Sequence, residues 1–176
     1  MATAKAAITR PASGEYAPYY EKYIALVPEG DIVATLGQQL DTTLELLEGI
    51  DESQANKRYA ADKWSIKEVV GHLIDSERVF VYRAMRFARN DQTPLPGFEQ
   101  DDYVRHAKFD DRQLAYLAQE FEYVRRGTIQ LLASLSEEAW TRRGTANDNE
   151  VSVRALAYIM AGHEAHHVQV LKTKYL

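Results

Sequence analysis

The chain contains no cysteine, and that absence closes several routes at once. It excludes a disulfide frame, a thiolate metal site and a cysteine nucleophile, so any sulfur chemistry would need a thiol from solution. Long apolar runs are also missing, and none approaches the ~20 residues that span a bilayer. Residues Met1 to Gly14 are small, polar and proline-containing, without the apolar centre of a signal peptide. The expectation is a protein that meets no membrane and stays in the cytoplasm. Nor is there an excess of positive charge. Lys and Arg number 21 against 26 Asp and Glu, for a net charge of −5, which argues against nucleic-acid binding. A local basic run, Arg83 to Arg89, reads as a solvated helix face. What remains is a globular balance of 45% hydrophobic and 27% charged residues over 176 positions, enough for one domain spanning 1–176 with a core that needs no covalent staple.

Strand alternation is scarce as well; the apolar period is helical nearly everywhere. A first long helix is predicted from Asp31 to Ile50, with Val33, Leu36, Leu40, Thr43, Leu47 and Ile50 on one stripe. Ser65 and Glu68 form a capping box that opens a second, whose buried stripe is Ile66, Val70, Leu73, Phe80, Ala84 and Phe87. A third opens at Asp110 with Gln113 in the reciprocal position and runs along Leu114, Leu117, Phe121, Val124, Thr128, Leu131 and Leu135. The fourth opens near Ser152 and carries Val153, Leu156, Met160, His163, His167 and Val170. Four amphipathic helices with one stripe each satisfy one another as an all-α four-helix bundle.

The connections carry their own signals. Between the second and third helices, Thr93-Pro94-Leu95-Pro96-Gly97-Phe98 forbids helix and predicts a shaped loop, with Phe98 and Tyr103 to pack it on the bundle. The acidic stretch Glu99-Gln100-Asp101-Asp102 reads either as a cover over a site or, in preference, as a solvated turn. A short turn of helix is expected at Ser136 to Trp140. The aromatic segment Tyr16 to Val27 is expected to pack on the bundle or to serve an interface. Glu77 falls near the centre of the second stripe, where a carboxylate is costly unless paired; the expectation is burial against a cation, with Arg154 as one candidate, or against backbone donors.

Three of the five histidines crowd into Gly162-His163-Glu164-Ala165-His166-His167. His163 and His167 lie one turn apart on the apolar seam, while His166 lies beside it. Two inward imidazoles need polar partners, since burying each unpaired costs on the order of 1–3 kcal/mol. A shared metal ion meets that need with neutral imidazole. A pair of core histidines bonded to each other or to carboxylates fits the spacing equally. His72, at the flank of the second helix's stripe, offers a third ligand from a neighbouring helix. Three histidines would leave coordination positions open, as catalytic rather than structural sites do. His106 reads as a surface residue.

The stretch Lys63-Trp64-Ser65-Ile66-Lys67-Glu68-Val69-Val70-Gly71-His72-Leu73, together with Gly162-His163-Glu164-Ala165-His166-His167 and the Thr93 to Phe98 loop, resembles the DinB-like superfamily and its YfiT-like metal-dependent proteins. The resemblance implies a four-helix bundle of the DinB/YfiT type, commonly a homodimer. It places the family's metal triad on His72, His163 and His167, with zinc or nickel as occupant. It also implies, from some relatives, transfer of a low-molecular-weight thiol such as bacillithiol or mycothiol, or a related isomerisation.

A divalent ion on three neutral imidazoles keeps its full charge and lowers the pKa of a bound thiol or water. The leading expectation is therefore a metal-dependent enzyme that transfers a low-molecular-weight thiol to an electrophilic small-molecule substrate. Metal-dependent hydrolysis and a non-catalytic, metal-stabilised binding bundle are the alternatives. Asp75 and Glu164 are the nearest acid–base candidates in sequence, although each reads more simply as an exposed helix carboxylate.

Overall fold

The computed structural model describes residues 8–176, so the reading of the amino terminus lies outside the described residues as far as residue 7. Two short 3₁₀ turns and helix α1 (Glu21–Ile24) precede the first long helix, α2 (Ile32–Glu48). Next come α3 (Glu52–Ala55), the long α4 (Ile66–Ala88), α5 (Gln100–Ala107), α6 (Leu114–Ala133) and α7 (Glu137–Thr141). A hairpin of β1 (Arg143–Ala146) and β2 (Asn149–Ser152) leads into α8 (Val153–Val170), which ends in a π-helical turn, Leu171–Tyr175. The four long helices form the expected bundle: α4 packs on α8 and α6, α2 packs on α6 and α8, and α1 lies along α8.

Helix ends follow the capping chemistry. The Ser65 hydroxyl accepts the Glu68 N–H while the Glu68 side chain accepts the Ser65 N–H; such a box is worth about 1 kcal/mol. Asp31 and Ser152 cap α2 and α8 with their side-chain oxygens alone, without a reciprocal partner. The third long helix departs from expectation. Asp110 belongs to a 3₁₀ turn before α6, and Gln113 is itself the cap residue. Asp110 instead accepts from the Ser65 hydroxyl and from Arg58, tying the turn before α6 to the start of α4.

The α6 seam is also displaced. Val124 and Leu131 are only partly buried, whereas Arg125 and Leu132 are buried. Arg125 sits between two carboxylates. Its guanidinium donates to both oxygens of Glu77, at 2.6–3.0 Å, and to Glu164. It also donates to the Leu36 carbonyl, and Thr43 donates to Glu164 at 2.7 Å. Glu77 is thus buried and paired as expected, but with Arg125. Arg154 pairs with Glu15 near the amino terminus. On α4, α6 and α8 the charged residue of this layer falls, in sequence, between two apolar clusters. One contains Leu36, Phe80, Leu132 and Ala161, the other Leu40, Leu73, Phe121 and Leu171.

The connections hold more structure than the apolar period reveals. Asn147 and Asp148 both adopt left-handed backbone, φ 49° and 60°, which closes β1 and β2 through a tight turn. Leu95 joins the hairpin edge, donating its N–H to the Thr145 carbonyl and accepting the Asn147 N–H. Gly97 follows at a point where a Cβ would lie 2.3 Å from Asn147 Oδ1. The Thr93–Phe98 loop is therefore seated on the hairpin. The acidic stretch after it is solvated as expected, but as the cap and first turn of α5. Ser136 caps α7 where a helical turn was expected, and in the Tyr16–Val27 segment Tyr16, Tyr23, Ile24 and Val27 are buried.

Candidate metal centre

The structure brings His72, His163 and His167 together across the α4–α8 contact. One ligand nitrogen from each falls within 4.8 Å of the others. His163 Nε2 is the hub, 3.0 Å from His72 Nε2 and 3.2 Å from His167 Nε2. A ring nitrogen carries either one hydrogen or one in-plane lone pair, so it can satisfy only one such neighbour by hydrogen bonding. Two nitrogens on one ion, at bond lengths of about 2.0–2.1 Å, stand about 2.8–3.4 Å apart for angles from right-angled to tetrahedral. The donor set fits a divalent transition metal and fits a hydrogen-bonded core pair poorly.

Burial sets the protonation. It lowers the His72 pKa to about 4. At His167 burial, reinforced by His72 and His166, lowers it to about 3. His163 is held well below the usual imidazole range by burial and then by its histidine neighbours. All three are neutral at pH 7, the form in which imidazole ligates. The Ser76 hydroxyl, one turn along α4, lies 3.3 Å from His72 Nδ1 and holds the ring with Nε2 turned to the cluster. Trp64 packs on His72 at 4.7 Å, and Tyr23 meets His163 edge-on at 5.4 Å.

The other candidates stand apart. His166 lies edge-on to Tyr23 and to His167, beside the cluster, and His106 is exposed on α5. Glu164 is not an exposed helix carboxylate: it is buried against Arg125 and Thr43. Asp75 is half-buried and pairs with Arg78 at 3.5 Å.

Two cavities reach the histidines. One, of 260 Å³, is lined by His163, Ser76, Phe80, Arg83, Tyr20 and the Gly97–Asp101 segment. The other, of 350 Å³, is lined by His166, His167, Trp64, Tyr59 and Asp101. Asp101, in the first turn of α5, borders both. Arg83 is the residue that the sequence reading most misplaced. It belongs to no solvated face but is 4% exposed in the wall of the first cavity. Its periodicity was the available signal, since Ser76, Phe80 and Arg83 share the helix face of His72.

Comparison with known proteins bears on the family and the fold. The sequence model of the DinB superfamily matches residues 35–171. A protein of Oceanobacillus iheyensis named as a candidate metal-dependent hydrolase is 24% identical over 130 residues, 73% of this chain and 74% of that one. Among solved structures, YfiT of Bacillus subtilis is described as a candidate metal-dependent hydrolase with an unusual four-helix bundle topology. It is similar with a TM-score of 0.65 and 16% identity, over 93% of this chain and 90% of that one. A mycothiol-dependent maleylpyruvate isomerase is similar with a TM-score of 0.63 and 15% identity, over 82% of this chain and 61% of that one. With the family model matching residues 35–171, most of its length, the chain belongs to the DinB superfamily.

Proposed function

We propose that this protein is a metal-dependent enzyme that holds one divalent ion on His72, His163 and His167 and joins a low-molecular-weight thiol to an electrophilic small molecule. The observation that carries the reading is the pair of cavities meeting the histidines from two directions, one at His163 and one at His167. Two separate approaches suit a two-substrate reaction. The ion, zinc or nickel by the family resemblance, would supply Lewis acidity that lowers the pKa of the thiol. The chain's own part is to keep three imidazoles neutral through burial, to orient His72 through Ser76, and to narrow access with aromatic walls. Asp101, which lines both cavities, is the candidate we assign to take the proton that the thiol releases.

Hydrolysis is the second reading, favoured by the names of two similar proteins; water would then take the place of the thiol and Asp101 would keep its role. The two readings separate in one experiment. Protein purified without nickel resin is loaded with zinc or nickel and incubated with an epoxide or an activated ester, with and without a low-molecular-weight thiol. A thioether or thioester adduct supports transfer. A hydrolysed product formed at the same rate without thiol replaces it by hydrolysis. Absence of both across the panel overturns the enzymatic reading.

A further inference from the structure

Among the described residues, the buried cations are provided with carboxylates, with one exception. Arg125 lies between Glu77 and Glu164, and Lys67 pairs with Glu52 at 2.5 Å. Arg83 is as deeply buried, at 4% exposure, yet no carboxylate among the described residues lies within ion-pair distance of it. Its polar contacts are the Pro96 carbonyl, which accepts from a guanidinium nitrogen at 2.7 Å, and the facing Tyr20 hydroxyl. The Phe98 ring lies 6.0 Å away. An arginine keeps its charge under such burial, and a buried charge without a counter-ion is costly. The guanidinium has five N–H donors, and one carbonyl and one hydroxyl leave most of them free.

We propose that Arg83 is the anchor for an organic monocarboxylate bound in the first cavity, and hence that the electrophilic substrate is a carboxylic acid with an apolar body. The proposal deepens the function argued above, since the cavity is the one that reaches His163. The charge matches, because one unneutralised cation calls for one negative charge. The shape matches as well. A guanidinium fork pairs with a planar carboxylate through two parallel bonds, and Tyr20, Phe80 and Phe98 supply apolar walls for the rest of the molecule. Arg83 is three turns beyond His72 on α4, about 16 Å along the axis. The carboxylate is therefore bound at the far end of the cavity, while the reacting end of the same molecule points back to the histidines. The exposed Glu99 and Asp101 stand at the rim, where they repel a dianion more than a monoanion.

The test uses 3-phenylpropionate with its amide and alcohol analogues as uncharged probes and inorganic phosphate as a competing anion. Binding is followed by calorimetry and ligand-observed NMR on metal-loaded and on chelator-treated protein. The acid is expected to bind at least about tenfold more tightly than the amide, with Arg83→Met removing that preference and Arg83→Lys restoring part of it. Circular dichroism and the thermal midpoint of each variant separate loss of binding from loss of fold. Should Arg83→Met not fold, Tyr20→Phe with Phe98→Ala reports on the same pocket, and a lost or weakened preference for the acid is expected there. Preference that survives Arg83→Met but disappears in His163→Ala would place the anion on the metal. That result would overturn the proposal and leave the metal reading intact. Preference that depends on Arg83 in chelator-treated protein supports the proposal even if the metal reading fails. No preference for the acid, tighter binding of phosphate, or no saturable binding up to about 10 mM overturns it.

Discussion

His163 and Glu164 are consecutive in the chain and both buried, yet they leave α8 in different directions and serve different machinery. His163 Nε2 meets His72 on α4 and His167 one turn on. The Glu164 carboxylate accepts from Thr43 on α2 and from Arg125 on α6. One turn of one helix therefore carries the hub of the histidine cluster and one arm of the ionic layer that separates the two apolar clusters. Perturbing the layer should change stability, and perturbing the cluster should change metal binding, with little exchange between them.

The metal prediction follows from the hub geometry. His163→Ala and His167→Ala should abolish stoichiometric metal, and His72→Ala should weaken binding strongly. His166→Ala should leave the metal content unchanged, because that ring lies beside the cluster. Ser76→Ala should weaken affinity by about tenfold by releasing the His72 ring. Elemental analysis after dialysis reads all five. Equal loss in the His166 variant would mean that a different pair of histidines holds the ion.

The ionic layer makes the converse prediction. Glu77→Ala leaves Arg125 with Glu164 as its one carboxylate but removes three of its hydrogen bonds, and leaving those buried donors unsatisfied costs about 1–3 kcal/mol. Urea denaturation should show that loss while metal content per folded chain stays the same. Replacing Glu77, Arg125 and Glu164 together with apolar residues of similar volume should cost far less, since the charges are then removed as a set. A triple variant less stable than Glu77→Ala would mean that the layer's hydrogen bonds to Leu36 and Thr43 dominate.

Much of this arrangement was legible in the chain itself. The helical periods and the Ser65–Glu68 box placed α2, α4 and α8 to within a residue or two, and the i, i+4 spacing put His163 and His167 on one face. The α6 seam misled because hydrophobicity favours Val124, whereas the carboxylates on α4 and α8 draw Arg125 inward. Glu77 announced its need for a cation but not which one. Arg154, in the first turn of α8, is bound by Glu15 from a segment distant in sequence. The hairpin was missed because its strands are four residues long, though Asn147-Asp148 was a turn signal in plain view. Arg83 looked solvated because the loop that covers it arrives through Pro96, a tertiary contact with no local signature.

Protonation of the cluster predicts a pH window. His72 has a folded pKa of about 4 against an ordinary value of 6.5. Between those values the unfolded chain binds the proton and the folded chain does not, so stability rises with pH there. The His72 contribution is fully present above pH 6.5 and is lost as the pH falls towards 4, on the order of 3 kcal/mol in all. Glu15, lowered to about 2 against burial by its bonds to Arg154, acts in a separate window, losing its contribution as the pH falls from 4.5 towards 2. Thermal midpoints of metal-free protein should therefore decline already between pH 6.5 and 4.5. In His72→Phe the decline should be shallower by one proton; an unchanged slope would remove His72 from the account.

The last prediction concerns how closely α1 is set against the histidine helix. A Cβ added at Gly162 would lie 2.0 Å from the Tyr23 carbonyl oxygen and 2.3 Å from its carbon, and backbone atoms cannot rotate aside as a flexible side chain does. Tyr23 is also the residue whose ring meets both His163 and His166, so a displaced α1 disturbs the wall of the site as well as the core. Alanine is favoured over glycine in a helix by about 0.8–1.0 kcal/mol, while overpacking a closed contact costs about 1–3 kcal/mol. The clash should win, and Gly162→Ala should be destabilised, with looser protection of the Tyr23 backbone in hydrogen exchange. Gly127, within α6, provides the contrast, because a Cβ there meets nothing within 4 Å. Gly127→Ala should be stabilised by roughly the propensity difference. If both variants gain stability, α1 yields to the new methyl group and does not clamp the histidine helix.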